Sequence, residues 1–220
     1  MNIAAYIDHT VLRPTTTHRD VEMLCAEAEK YQFAAVCVPP FYVKTAKDFL
    51  QETPVKVATV IGFPFGYSAT SSKLREIEEA IKDGADELDT VIHLAALKNG
   101  DWNWVAEEIS TCVAEIHAAK KQMKLIVESG VLTDEELVRA CGLVAEYEVD
   151  FIKTSTGYAE KGATLHAVTM MRKHLPASVR IKASGGIRTF STAKELIAAG
   201  ADRLGCSASV QIIEEQNPLT

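Results

Sequence analysis

Short apolar runs alternate with segments of helical periodicity along the whole chain, and this alternation is the feature that most constrains its fold. Apolar residues three or four positions apart, as on one face of a helix, recur at Val21, Leu24, Cys25 and Ala28 and again at Val105, Ile109, Val113 and Ile116. The apolar runs are typical of buried strands, and they lie around residue 7 and at 35–38, 56–61, 87–92, 124–128, 151–153, 179–182 and 203–206. The pattern predicts a succession of βα units.

The junctions between helices and strands also resemble one another. Gly84-Ala85-Asp86 and Gly200-Ala201-Asp202 each lead from a helical stretch into a strand, and both glycines suit the left-handed position after a helix. Thr133 and Glu136 have the spacing of a capping box, which marks a helix start. Eight strands with intervening helices, and no interdomain linker, favour an α/β fold in which a (β/α)8 TIM barrel forms a single domain over residues 1–220. A doubly wound open sheet is the alternative, although no GxGxxG follows the first strand.

Composition and charge argue against several classes of function. The net charge of −7 disfavours a nucleic-acid partner, because phosphate neutralisation needs clustered Lys and Arg. No apolar run approaches the roughly 20 residues of a membrane span, and residues 1–9 lack the features of a signal peptide. The five cysteines are odd in number and form no CxxC pair, so we expect reduced thiols and a cytoplasmic protein. The six histidines form no cluster with metal-ligand spacing, and we expect no metal.

A barrel fold restricts where the chemistry can lie, because the βα loops gather at the carboxyl ends of the strands. Seven different strands carry a polar or reactive residue at or near that end, and together these predict an active-site ring. They are Asp8, Cys37, Asp89, Glu128, Lys153, Lys182 and Ser207. Cys37 either faces the site or is simply a small buried hydrophobic residue.

Two lysines stand at strand ends where a solvated charge is out of place. Lys153 follows an apolar run and precedes Thr154-Ser155-Thr156-Gly157, and Lys182 precedes a Gly-Gly turn. Burial and a neighbouring ammonium both disfavour the charged form, so the pair indicates an amine that is nucleophilic near neutral pH. Bringing a lysine pKa from about 10.4 to near 7 requires about 4 kcal/mol of destabilisation of the ammonium. Lys153 as a phosphate anchor or a structural charge, and Lys182 as a phosphate ligand, remain alternatives.

Asp89 interrupts the apolar run of the fourth strand, and period-2 alternation can point it into the barrel. An interior aspartate needs a partner, and the two lysines are the obvious ones. Asp89 is therefore either a carboxylate that moves protons next to the lysines or one member of a structural ion pair.

Two glycine-containing loops follow the last two strands, and both suit an anion. Gly185 and Gly186 precede a helix, and Gly205 to Ser207 follow the eighth strand. Glycines let backbone amides approach a phosphate, and barrels often bind phosphate with the loops after strands seven and eight. The alternative for each loop is an ordinary tight turn.

The residues described so far resemble the deoxyribose-phosphate aldolases, a family of class I aldolases. The similarity extends from Ile7-Asp8-His9-Thr10 to Gly205-Cys206-Ser207, nearly the whole chain. Its most specific motifs are, in order, Gly84-Ala85-Asp86-Glu87-Leu88-Asp89, Phe151-Ile152-Lys153-Thr154-Ser155-Thr156-Gly157 and Lys182-Ala183-Ser184-Gly185-Gly186-Ile187-Arg188.

The resemblance implies a (β/α)8 barrel that cleaves 2-deoxy-D-ribose 5-phosphate reversibly to D-glyceraldehyde 3-phosphate and acetaldehyde, without a cofactor. Lys153 matches the imine-forming lysine of the family, Lys182 its second lysine, and Asp89 the carboxylate of its proton relay; Asp8 matches an aspartate that helps to hold this relay. The phosphate-binding elements of the family match Thr156, Gly157, Gly185, Gly186, Gly205 and Ser207. The family also implies a homodimer or homotetramer.

The chain departs from the family pattern at three places. His93 follows the fourth strand where the family usually has Met and Asn nearby, Ser129 follows Glu128 where Thr is more usual, and Cys206 takes a small-residue position. Two other functions stay open: a lysine aldolase or transaldolase for another phosphorylated carbonyl compound, and a phosphosugar-binding barrel without catalysis.

Overall fold

The computed structural model describes residues 2–216, and it confirms the predicted barrel. Eight strands pair in parallel in chain order, and the eighth closes onto the first. The strands are β1 (Ile7–Thr10), β2 (Ala35–Val38), β3 (Lys56–Ile61), β4 (Glu87–Val91), β5 (Gln122–Ile126), β6 (Phe151–Lys153), β7 (Arg180–Ser184) and β8 (Arg203–Cys206).

Helices follow the strands and cover the outside of the barrel. They are α1 (His18–Tyr31), α2 (Val43–Leu50), α3 (Thr70–Lys82), α4 (Leu94–Lys98), α5 (Trp102–Ala118), α6 (Asp134–Glu146), α7 (Leu165–His174), α8 (Phe190–Ala198) and α9 (Ser209–Gln216). Each α stripe predicted from the spacing of apolar residues is buried against the strands. Within residues 2–216, no helix is long and apolar enough to cross a membrane.

The fifth strand begins and ends earlier than the sequence predicts. β5 covers residues 122–126 rather than 124–128. It ends before Glu128 because this residue has left-handed backbone angles (φ 52°) that a strand cannot continue through. The apolar run nevertheless stays beside β6, since the amide of Val127 bonds to the carbonyl of Lys153. Lys124 is therefore in the middle of a strand, and its side chain is fully buried.

The strand register brings the charged residues of the barrel interior to nearly the same height. Asp89 pairs with Lys124 across β4 and β5, Lys153 pairs with Lys182 across β6 and β7, and Lys182 pairs with Arg203 across β7 and β8. Parallel strands place paired residues side by side with their side chains on the same face. The register alone therefore creates a charged layer inside the barrel.

Several local predictions are confirmed outside the barrel. Thr133 and Glu136 form the capping box at the start of α6, with the Thr133 hydroxyl accepting a hydrogen bond from the Glu136 amide. Gly84 and Gly200 have positive φ angles just after α3 and α8. All five cysteines are buried and unpaired.

The capping box gives a test of what holds the helical layer. Thr133→Ala should lower the free energy of unfolding by about 1 kcal/mol, because the first turn of α6 loses its cap. The matched control is Thr111→Ala within α5, where the threonine hydroxyl bonds back to the Glu107 carbonyl. Alanine is the better helix former there, so the control should raise the free energy of unfolding by a few tenths of a kcal/mol, roughly. Urea denaturation measures both, and equal losses in the two variants would contradict the prediction.

Candidate active site

The carboxylate of Asp89 lies inside the barrel and contacts three lysines. Its Oδ2 atom accepts hydrogen bonds from Lys153 Nζ at 2.8 Å and Lys182 Nζ at 2.7 Å, and its Oδ1 atom accepts one from Lys124 Nζ at 2.7 Å. The two lysines singled out in the sequence are thus brought together by the aspartate that was predicted to partner them.

A second set of ion pairs surrounds this contact inside the barrel. Lys182 Nζ is 2.6 Å from Asp8 Oδ2, and Arg203 Nε donates to Asp8 Oδ1 at 2.6 Å. Arg203 also donates to both oxygens of Glu87, at 3.1 and 3.2 Å, and Lys124 Nζ is 2.6 Å from Glu87 Oε2. We call these seven residues the ion network: Asp8, Glu87, Asp89, Lys124, Lys153, Lys182 and Arg203.

Glu87, Lys124 and Arg203 are the members that the sequence analysis missed. Each is a charged residue in a strand, at a position whose side chain faces the barrel interior. Glu87, for example, is two residues before Asp89 and therefore lies on the same face of β4. A charge at an inward position of a parallel strand is the signal that could have found them, because it must be paired there.

The ion network contains four cations and three carboxylates, so the positive charges outnumber the negative charges by one. Burial, with a contribution from the ammonium of Lys182, outweighs the attraction of Asp89 and lowers the pKa of Lys153 below its usual value. Lys124 and Lys182 are just as buried, yet the carboxylates around them outweigh burial and raise the pKa of each. The same cations hold the pKa of Asp8 and Asp89 well below the usual range against the effect of burial. Lys153 is therefore the amine that most easily becomes neutral.

A cavity of about 620 Å³ opens at the carboxyl ends of the strands, and Lys153 is the one member of the ion network among its described lining residues. The predicted phosphate-binding residues line the same cavity: Thr156, Gly157, Gly185, Gly186, Gly205 and Ser207. Asp8, Asp89 and Lys182 are fully buried and are not among the described lining residues. A substrate in the cavity would meet the Lys153 amine first.

The glycine loops are shaped by close packing as well as by backbone angles. Gly185 and Gly186 have φ angles of 90° and 80°, which favour glycine. A Cβ atom at Gly205 would lie 2.7 Å from the Ser184 Cβ and 3.2 Å from the Lys182 Cε, so a side chain there would displace Lys182. Two arginines that were not predicted as site residues, Arg13 and Arg188, add positive charge to the cavity wall.

Glu128 does not line the cavity but fixes the loop after β6. Its carboxylate accepts hydrogen bonds from the Thr156 amide, at 3.2 and 3.3 Å, and from the Thr156 hydroxyl. Burial raises the pKa of Glu128. Glu128 therefore holds in place the segment that carries Thr156 and Gly157.

Cys37 and two of the unusual residues of this chain lie away from the cavity. Cys37 packs with Ala58 and Val60 in a small apolar cluster, so its role in substrate binding stays a prediction. His93 caps α4, its Nδ1 atom accepting a hydrogen bond from the Ala96 amide, and its ring packs edge-on against Trp104. Cys206 is part of the core outside the barrel, where burial raises the pKa of its thiol to about 12.

The fold and the site together define a barrel enzyme in which a buried amine is presented at the base of a cavity. Comparison with known proteins identifies the family of enzymes to which it belongs. The sequence model of the DeoC/LacD family of aldolases matches residues 2–209. The chain therefore belongs to this family, and it is an aldolase, which is a type of lyase.

Individual relatives agree with this assignment. A deoxyribose-phosphate aldolase from Caldicellulosiruptor saccharolyticus is 47% identical over 97% of both chains, and one from Thermococcus kodakarensis is 49% identical over 96% of both. The solved structure of a deoxyribose phosphate aldolase from Aeropyrum pernix, described as tetrameric, is 32% identical with a TM-score of 0.91. That match covers 99% of this chain and 92% of the other.

The opposite pKa directions of two buried lysines lead to opposite effects on stability. A lysine with a raised pKa stabilises the fold at every pH below its unfolded value of about 10.4, whereas one with a lowered pKa destabilises the fold below its own pKa. Lys124→Met should therefore lower the free energy of unfolding at pH 7, by roughly 3–5 kcal/mol for a broken buried pair. Lys153→Met should leave that free energy unchanged or raise it.

Urea denaturation at pH 7 compares the two lysine-to-methionine variants directly. A loss for Lys153→Met as large as that for Lys124→Met would show that the Lys153 ammonium is stabilised by its surroundings, contrary to the geometry of the ion network.

Proposed function

We propose that this aldolase cleaves 2-deoxy-D-ribose 5-phosphate reversibly to D-glyceraldehyde 3-phosphate and acetaldehyde through an imine formed by Lys153. The observation that carries the proposal is the position of Lys153: it joins a buried ion network below to a cavity above whose wall is made of glycine loops. The names of the relatives supply the substrate, and the site supplies groups that suit each part of it.

The reaction begins when neutral Lys153 adds to the sugar aldehyde and water leaves, which forms a protonated imine. Removal of the proton from the 3-hydroxyl group turns carbon 3 into a carbonyl, and the bond between carbons 2 and 3 breaks. The electron pair of that bond moves into the imine and leaves an enamine on Lys153. Protonation of carbon 2 and addition of water then release acetaldehyde and restore the amine.

Asp89 supplies the proton relay in this scheme. Its Oδ2 atom accepts hydrogen bonds from Lys153 at 2.8 Å and from Lys182 at 2.7 Å, so this carboxylate is positioned to accept a proton from Lys153 while Lys182 stays protonated beside it. Asp89 lies below the cavity, and a water molecule would carry the proton between this carboxylate and the substrate hydroxyl. Asp8 takes part indirectly, because it holds Lys182 from the other side.

The phosphate of the sugar would lie against the loops after β7 and β8. Gly185 and Gly186, in the loop after β7, and Gly205, near the end of β8, leave room for the backbone to approach an anion, and α8 begins shortly after Gly186. Arg188 lines the same part of the cavity and adds a cation. Gly157 and Ser207 complete this proposed subsite.

Reductive trapping tests the imine. Borohydride with acetaldehyde should attach one ethyl group to the peptide that contains Lys153, and the same preparation should cleave deoxyribose 5-phosphate. Lys153→Met should abolish both. The matched control is Lys161→Met, which removes an exposed lysine from the same loop and should leave trapping and cleavage at the wild-type level.

The other outcomes distinguish the competing functions. An adduct on Lys153 without cleavage of deoxyribose 5-phosphate would favour an aldolase or transaldolase for another phosphorylated carbonyl compound. No adduct, with phosphosugar still bound, would favour a binding protein that has lost catalysis.

The assembly and location of the chain are further proposals. The tetrameric relative from Aeropyrum pernix suggests that this chain forms homo-oligomers, and the five unpaired cysteines suit a reducing cytoplasm. Analytical ultracentrifugation checks the first proposal, and a monomer at working concentrations would contradict it.

A further inference from the structure

The loop after β6 (residues 154–164) lines part of the cavity and then returns to touch the loop after β7 (residues 185–189). A Cβ atom at Gly162 would lie 2.2 Å from the carbonyl oxygen of Gly185 and 2.5 Å from its carbonyl carbon. The φ angle of Gly162 is not left-handed, so its own backbone conformation does not require glycine. The close contact with Gly185 is therefore the reason that a side chain does not fit at this position.

The same contact holds one peptide group of the loop after β7 in a fixed direction. The carbonyl oxygens of Ser184 and Gly185 both accept a hydrogen bond from the Ala163 amide, at 3.0 Å each. In a trans peptide the N–H group points opposite to the C=O group, so the Gly186 amide points away from Ala163. Gly186 lines the cavity, and its amide donates to no acceptor within residues 2–216. This N–H group is therefore free to bind an anion.

A peptide between two glycines needs support from outside. Gly185 and Gly186 both have positive φ angles, and glycine changes backbone conformation at little cost, so the two residues alone leave the direction of this peptide open. The preceding residue, Ser184, is fastened to the loop after β6 in another way. The Thr154 hydroxyl accepts a hydrogen bond from the Ser184 amide at 3.0 Å and donates one to the Ser184 carbonyl at 3.2 Å. A change at Gly162 would thus act on the Gly185–Gly186 peptide and leave the end of β7 in place.

We propose that Gly162 is a positioning residue for the phosphate of the substrate, because it lets the loop after β6 come close enough to hold the Gly185–Gly186 peptide with its N–H group free. The inference rests on the proposed phosphate subsite and adds to it a residue that is not among the described lining residues of the cavity. A methyl group added at Gly162 would displace the Gly185 carbonyl group. The Gly186 amide would turn with it, since both belong to one planar peptide.

The experiment measures cleavage of deoxyribose 5-phosphate and its inhibition by inorganic phosphate. In Gly162→Ala, the KM for the sugar and the inhibition constant of phosphate should both rise about tenfold, as expected when one hydrogen bond to a charged group is lost. The kcat should change by less than about threefold, because the phosphate is held equally in the bound substrate and in the transition state. Borohydride trapping of acetaldehyde on Lys153 involves no phosphate and should stay at the wild-type level.

Gly142→Ala is the matched control. Gly142 lies in α6, its φ angle is not left-handed, and nothing lies within 4 Å of a Cβ atom added there. The KM, the inhibition constant of phosphate and the trapping of acetaldehyde should therefore all equal the wild-type values in this variant.

The outcomes that would overturn the inference are distinct from those that would overturn the proposed function. If Gly162→Ala kept the wild-type inhibition constant of phosphate, the contact would not orient the Gly186 amide, and the inference would fail while the proposed function stood. Loss of trapping together with phosphate affinity would also overturn the inference, because Gly162 would then support the whole site. A wild-type chain that neither trapped acetaldehyde nor cleaved the sugar would refute the proposed function, and the inference with it.

Discussion

The contact between one carboxylate and three ammonium groups is the interaction on which the rest of this structure depends. Asp89 is fully buried and its two oxygens accept hydrogen bonds from Lys124, Lys153 and Lys182. A single carboxylate cannot compensate three buried cations, so Asp8 and Glu87 supply the remaining negative charge. Lys124 and Lys182 each contact two carboxylates at 2.6–2.7 Å, whereas Asp89 is the one carboxylate among residues 2–216 that pairs with Lys153, at 2.8 Å. This inequality explains why equal burial leads to opposite pKa directions.

The ion network also explains how the amine that we propose as the nucleophile can persist in a stable fold. Burial of a lone lysine would be costly, but here the cost is confined to one group whose neighbours are well paired. The barrel supplies the geometry, because parallel strands in register place their inward side chains at one height. The cavity above then gives a substrate access to the least stabilised of these groups. The proposed reactivity of Lys153 and the stabilising ion pairs of Lys124 and Lys182 are thus divided between lysines on adjoining strands.

Much of this arrangement could be predicted from the sequence, for physical reasons. Hydrophobic periodicity and the spacing of Thr133 and Glu136 are local patterns, so the sequence could predict the alternation of strands and helices and the capping box at Thr133. Lys153 and Lys182 were found because a lysine beside a glycine turn at a strand end is unusual. Glu87, Lys124 and Arg203 were missed, since the sequence analysis examined the carboxyl ends of the strands, whereas Glu87 and Arg203 begin their strands and Lys124 lies in the middle of one.

Contacts between loops were beyond the reach of the sequence. The hydroxyl of Tyr158 bonds to a carbonyl 146 residues away, and no local pattern encodes such a pairing. Glu128 was predicted to belong to the ring of site residues, but its role in holding Thr156 depends on a left-handed backbone that the apolar run concealed.

The most direct measurement is an NMR titration of the lysine side chains, in which the ε-carbon signals of Lys124, Lys153 and Lys182 are assigned by loss of one signal in each lysine-to-methionine variant. The account predicts that Lys153 loses its proton at a pH below the ordinary lysine value, while Lys124 and Lys182 remain protonated beyond that value. If Lys153 instead titrated together with the other two, above the ordinary value, the central claim of one singled-out amine would be wrong.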